Sequence, residues 1–267
     1  NLSLIFLPYP KWGVYLIVSS HFMTNVKLIL TFLITVSTTL SFGQTVRTLL
    51  PTIGTPYNYS TNDQIIWNTV LDKYSKINSN DLDYEKLNAA DKALIDSLEM
   101  GGGPLTEGPG CSWYCGGQMY KVTSNSYLKA QEHIDYKPDN IHDFDLMTAW
   151  VTDTTNGVFG KKINFHFKPL SPRVNEIIIY NGYIKNYNLF KANSRVKKFK
   201  LYIDGVYYAT LELADTTAEQ SFRIDAIQSK DKHKDLILTF EIIEIYKGNK
   251  YLDVAVSEIN FSGIDVH

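Results

Sequence analysis

Hydrophobic positions change their period partway along the chain. Between residues 61 and 77 they fall three or four apart, at Ile66, Val70, Tyr74 and Ile77, and Thr61 or Asn62 stands where a helix start needs a cap. Residues 81–99 repeat the pattern with Leu87, Leu94 and Leu98 and with Ala between them. This spacing predicts two amphipathic helices, a hairpin that packs on the main domain or on a partner protein. From about residue 119 onward the period is two. Ile163, Phe165 and Phe167 alternate with Lys162, Asn164 and His166, and Phe199, Leu201 and Ile203 alternate with Lys198, Lys200 and Tyr202. Ile177 and Ile179, Leu211 and Leu213, and Phe222 and Ile224 mark further strands. Asp204-Gly205 between two of these runs predicts a tight hairpin. The long run from Leu236 to Tyr246 slips phase near Ile242-Ile243, as a bulge would make it do, and Val254, Val256, Ile259 and Phe261 follow it. Seven or eight strands without intervening helices predict a mainly β protein, a β-sandwich, with a short α-helical segment before it.

Between the two regions lies GGGPLTEGPG, residues 101–110, which ends the second helix and reads as a linker. The organisation expected is a helical segment at 44–100, a linker at 101–110 and a sandwich at 111–267. The first 43 residues hold none of the acidic residues of the chain. Within them Met23 opens a short basic region at Lys27, then an apolar run from Leu28 to Val36, then Ser41-Phe42-Gly43. Residues 23–43 read as a signal peptide cut near Gly43/Gln44, and residues 1–22 as an upstream extension of the gene. A membrane anchor is the competing assignment, but the apolar run of about ten residues is short of the ~20 a span requires. Localisation outside the cell or in the periplasm follows.

Composition adds exclusions. The chain is 44% apolar and 20% charged, with net charge −2, and no Lys/Arg-rich run is present, so nucleic acid is not an expected partner. Cys111 and Cys115 are four apart in a Gly-bounded loop; an oxidising compartment favours a disulfide between them. A redox pair would need two intervening residues and a βαβ setting, neither of which is present. His133, His142, His166, His233 and His267 are scattered, and no HExxH, GxGxxG or P-loop occurs, so an enzyme is not expected.

The stretch richest in candidate chemistry is residues 140–150, NIHDFDLMTAW. Asp143, Asp145 and Thr148 put hard oxygen donors in one short loop, a set suited to Ca²⁺, although the Gly and the terminal Glu of an EF-hand are absent. Asn-x-x-Asp-x-Asp-x-x-Thr-Ala-Trp resembles the opening loop of discoidin-type, galactose-binding-like domains. Four later motifs extend the likeness: residues 179–185, 193–198, 245–248 and 256–259 (IYNGYIK, NSRVKK, IYKG and VSEI). In this order, and with the CSWYC prelude, residues 111–264 resemble the glycan-binding, or translocation, domain of secreted NAD glycohydrolases. The resemblance implies a jelly-roll β-sandwich. It implies a structural Ca²⁺ held by Asp143, Asp145, Thr148 and Glu258 with a carbonyl near Asn140. It also implies binding of cell-surface or extracellular glycans without catalysis. The ligand residues it suggests are Tyr183, Lys185, Asn193 and Arg195, then Trp150 and Tyr246, with Tyr183 and Arg195 lining one exposed site at the loop end of the sandwich. The competing assignment puts Trp150 and Tyr180 in the core and uses Arg195 to cap a loop through carbonyls; the competing function is a structural or protein-interaction module without a sugar site.

Overall fold

The structure is a computed structural model that describes residues 3–4, 17–18, 47–57, 61–99, 113–117 and 119–266. The signal-peptide segment at 23–43, the linker at 101–110 and Cys111 of the proposed disulfide lie outside the described residues. The chain divides into two units, residues 1–45 and 46–267. In the first, β1 (Ser3–Leu4) pairs antiparallel with β2 (Ile17–Val18). No helix among the described residues is long and apolar enough to cross a membrane.

Two sheets make up most of the second unit. The six-stranded sheet runs β3 (Thr48–Leu49), β10 (Val206–Glu212), β9 (Arg195–Ile203), β12 (Leu236–Tyr246), β7 (Lys162–Phe167), β5 (Met119–Ser124). The five-stranded sheet runs β4 (Thr52–Ile53), β11 (Glu219–Ile227), β8 (Val174–Asn181), β13 (Ala255–Gly263), β6 (Trp150–Val151). Every pairing is antiparallel except β3 with β10. The protein is a mainly β jelly-roll sandwich, as the alternation predicts. One side chain in two along β7 and the first part of β12 faces inward: Ile163, Phe165, Phe167, Leu238, Phe240 and Ile242 are fully or almost fully buried. The core between the sheets is aromatic and packed edge to face. Phe165 meets Phe261 at 4.9 Å and Phe240 at 5.5 Å, and Phe167 meets Phe261 at 5.0 Å.

The turn and bulge signals also hold. Asp204 (φ 49°) and Gly205 (φ 80°) both take the left-handed conformation that a two-residue hairpin requires, and they join β9 to β10. The β12–β9 register shifts between Ile242 and Glu244. Residues 48–53 differ from the expected helical segment: they supply β3 and β4, one at an edge of each sheet. The helical hairpin follows, α1 (Thr61–Asn78) and α2 (Ala89–Glu99), closed on its own small core of Val70 and Ile95 and tied by Lys73 to Asp91 at 2.6 Å. Ile65 and Ile66 of α1 stay exposed, at 60% and 42%.

The end of the sandwich opposite the Asp204-Gly205 hairpin is closed by three features. Asn181, fully buried, donates to the Val196 carbonyl at 2.7 Å and accepts from its N–H at 3.1 Å, so one side chain joins β8 of one sheet to β9 of the other. Gly182 has φ +92°, and a Cβ there would stand 2.7 Å from the Phe190 ring and 2.8 Å from Arg195 Cγ. That turn leads into α3 (Tyr187–Ala192), a short helix capped by Asn186, whose side chain accepts from the Leu189 N–H.

Candidate ligand cavity and cation loop

Three loops from distant parts of the sequence meet at this closed end and leave a cavity of about 150 Å³. Leu128, Val151 and Leu189 form its apolar wall. Tyr136, Tyr183 and Tyr251 add three phenol rings, of which Tyr251 is 40% exposed and Tyr183 only 5%. Gln131, Asn193 and Asp253 supply the polar groups. Asn193 donates its amide N–H to the Leu189 carbonyl at 2.9 Å. The Asp253 backbone is held, its carbonyl accepting from Ser194 at 2.9 Å, but its carboxylate makes no hydrogen bond or ion pair among the described residues. Burial, and then the negative field of Asp153, hold the Asp253 carboxyl above the ordinary carboxylate pKa. Burial raises the Tyr183 phenol to about 12. The same stretches of chain also carry exposed apolar side chains: Tyr127, Ile134, Tyr187 and Leu252.

Two of the six sequence candidates, Tyr183 and Asn193, line this cavity. The expectation that Tyr183 and Arg195 share an exposed site needs correction, because both are buried, at 5% and 4%. Arg195 forms a two-pronged ion pair with Asp215, Nε to Oδ1 at 2.9 Å and Nη2 to Oδ2 at 2.7 Å. Its Nη1 donates to the carbonyls of Asn193 at 2.9 Å and Lys247 at 3.4 Å. The guanidinium thus caps loops through carbonyls, with no donor pair left for a ligand carboxylate. Trp150 is fully enclosed in the core and donates its indole N–H to the Ser126 carbonyl at 2.9 Å, so its ring cannot stack on a sugar. Tyr246 is half-buried and donates to the Leu213 carbonyl at 2.9 Å. Lys185 is exposed and does not line the cavity; its charge acts on Asp145. Tyr136, Tyr251 and Asp253 were not anticipated. Aromatic residues in loops rich in Asp and Lys were the signal available for them.

The 140–149 loop runs beside β13, where the two-residue strand β6 leaves that edge open. His142 Nδ1 donates to the Ile259 carbonyl at 2.8 Å, and the Ser257 hydroxyl donates to the Thr148 carbonyl at 3.1 Å. His142 sits against Tyr114, Phe144 and Phe165, and burial lowers its pKa to about 4, which keeps the ring neutral. Phe144 takes φ 64° at the loop tip, between the two aspartates.

Asp143, Asp145, Thr148 and Glu258 are linked by short contacts. The Thr148 hydroxyl lies 2.7 Å from Asp143 Oδ2 and 3.4 Å from the Asn140 carbonyl oxygen. The Asp145 N–H donates to Asp143 Oδ1 at 3.1 Å and to Glu258 Oε1 at 3.2 Å. Glu258 is fully buried, and its Oε2 has no hydrogen-bond partner. Burial, and then the Asp143 carboxyl beside it, push the Glu258 pKa well above the usual range. A buried oxygen without a donor, facing other hard oxygens, is chemically what a divalent cation satisfies. Among the described residues no group of three or more His, Cys, Asp or Glu forms a ready metal cage.

The cavity and the loop adjoin. Asn140 donates its amide N–H to the Asp135 carbonyl at 2.8 Å, next to Tyr136, and Ala149 and Val151 pack on Tyr183.

Comparison with known proteins follows the same outline. The model of the NAD glycohydrolase translocation F5/8 type C domain matches residues 113–262. No curated protein matches the chain. Among solved structures, the module CpGH89CBM32-5 from Clostridium perfringens, in complex with GalNAc-beta-1,3-galactose, is 13% identical with a TM-score of 0.40, over 54% of this chain and 94% of that one. The family 32 carbohydrate-binding module of Streptococcus pneumoniae EndoD is 8% identical with a TM-score of 0.41, over 55% and 99%. For the CBM32-1 and CBM32-2 domains of Clostridium perfringens ZmpB the figures are 13%, 0.39, and 58% and 36%.

Proposed function

The chain belongs to the NAD glycohydrolase translocation F5/8 type C domain family, and from that premise we propose that it is an exported, non-catalytic carbohydrate-binding module for cell-surface or extracellular glycans. The observation that carries this reading is the cavity at the closed end of the sandwich. It combines three phenol rings with Gln131, Asn193 and Asp253 in a volume suited to a small ring. Rings bury the apolar face of a sugar, and a few fixed polar groups read its hydroxyls. Export to the periplasm or the outside would let Cys111 and Cys115 pair.

The experiment is a glycan array on the full chain, followed by titration with the best sugar. Binding is expected. Tyr251→Ala should weaken it about tenfold, some 1.4 kcal/mol, at an unchanged melting temperature, because the Tyr251 ring is 40% exposed. A folded protein that binds no sugar would favour the structural or protein-interaction module. That second reading draws on Arg195, Trp150 and Tyr246, three candidates whose polar groups are spent inside the fold.

Ca²⁺ belongs to the same reading. Asp143, Asp145, Thr148 and Glu258 would hold it, and its charge would neutralise the carboxylates that otherwise repel one another in that loop. A ligand that binds only the folded state adds about 2.7 kcal/mol at a hundredfold excess over Kd. Chelation should therefore lower the melting temperature by about 5–10 °C. Asp145→Ala should remove the response to chelator. Sugar affinity should also fall on chelation, since Asn140 and Ala149 connect the loop to the cavity wall. A melting curve that chelator does not move, for protein shown free of ion, would eliminate the site.

A further inference from the structure

We propose that the cavity selects uncharged sugar rings and rejects acidic ones, and that Asp253 is the specificity-determining residue; this rests on the carbohydrate reading above.

Of the side chains that line the cavity, Asp253 is the one that carries a full charge, and no Lys, Arg or His lines it. Its carboxylate has no partner among the described residues, although it is half-buried. The cations nearby are committed elsewhere. Arg195 is locked to Asp215 and to two carbonyls. Lys161 reaches Asp153 at 3.3 Å. Lys250 stands over the Tyr251 ring at 4.8 Å and does not line the cavity. Asp153 adds a second negative field at Asp253. The cavity is therefore an acceptor-rich, negative site.

That chemistry discriminates in both directions. A free carboxylate accepts charge-assisted hydrogen bonds, and its two oxygens match two neighbouring hydroxyls of a neutral ring. A sialic or uronic acid, or a sulfated ring, would bring a second negative charge into a partly desolvated cavity whose lining holds no cation to answer it. Specificity then comes from the repulsive element as much as from the attractive one. The one guanidinium near the cavity, that of Arg195, could have paired with an acidic sugar, but its burial removes that option.

The test is titration calorimetry on the full chain. The probes are four methyl glycosides: galactoside and N-acetylgalactosaminide as neutral rings, sialoside and glucuronide as acidic ones. The wild type should bind a neutral ring at least tenfold more tightly than either acidic one. Asp253→Asn keeps the shape and removes the charge. It should weaken the neutral ring about tenfold and narrow the gap to the acidic rings, with an unchanged melting curve because the carboxylate has no partner to lose. Equal or tighter binding of an acidic ring by the wild type would overturn the inference, as would a variant with unaltered affinities. A clear drop in the variant's melting temperature would also overturn it, by showing that the carboxylate serves the fold. In all three cases sugar binding itself survives. Binding of no sugar at all, on the calorimeter and on the array, overturns the carbohydrate reading and this inference together.

Discussion

Arg195→Ala is expected to destabilise the sandwich by about 3–5 kcal/mol, the range for breaking a buried ion pair by removing one partner. In a domain of this size that lowers the melting temperature by about 10 °C. Three losses combine. Asp215 loses both prongs of its fork, and being 32% exposed it recovers part of that loss from water. The Asn193 and Lys247 carbonyls lose their donor. The aliphatic stem leaves a void beside Gly182 and the Phe190 ring, over which the guanidinium lies at 5.0 Å. Asp215→Asn should cost somewhat less, about 2–3 kcal/mol: it leaves the buried guanidinium without a counter-charge, but the amide oxygen still accepts one hydrogen bond. Arg195→Lys should fall between the two, since an ammonium cannot reproduce the fork. Thermal melts of the three variants check the order. A wild-type melting temperature for Arg195→Ala would mean that the guanidinium is free in solution and available to a ligand after all.

Trp150→Ala should be equally severe, about 3–5 kcal/mol, because it removes the largest fully buried ring of the sandwich. Trp150→Phe separates the two contributions. It keeps most of the apolar volume and leaves the Ser126 carbonyl without its indole donor, a loss of about 1–3 kcal/mol. Denaturant midpoints measure both. Trp150→Ala with an unchanged midpoint would place the ring on the surface, where a sugar-stacking role returns.

The strands were legible because a half-buried sheet writes itself into the chain with a period of two. Phe165 and Phe167 announce their burial by alternating with polar neighbours. The hairpin at Asp204-Gly205 was legible because few residue pairs tolerate two consecutive left-handed conformations. Residues 48–53 carry no such mark. Two-residue strands are too short for a period, and β3 and β4 exist only because distant edges, β10 and β11, offer them unpaired groups. The helix at 187–192 is less than two turns, too short for a hydrophobic face to repeat.

Site residues divide along the same line. Asp143, Asp145 and Thr148 sit within six residues of one another, and local spacing alone brings them together; Glu258 reaches them through the resemblance to a family, because its strand runs beside their loop. Tyr183 and Arg195 follow turn-like dipeptides, a pattern that reads as surface. Gly182 instead turns the chain so that Phe190 and Arg195 fill the space its missing side chain leaves, and a turn's sequence does not say toward which side it points.

What the amino-acid sequence determined by itself is whatever depends on neighbours a few residues apart: the period of each strand, the tight hairpin, the bulge, the helical hairpin and the acidic loop. What the tertiary structure alone decided is which polar groups remain free. Arg195 is claimed by Asp215, twenty residues away, and Asp253 is left without a partner in a cavity shared with Tyr136. Both outcomes depend on three-dimensional distances between loops that the chain's local pattern does not encode, and those distances set where a charge is cancelled and where it is available to a ligand.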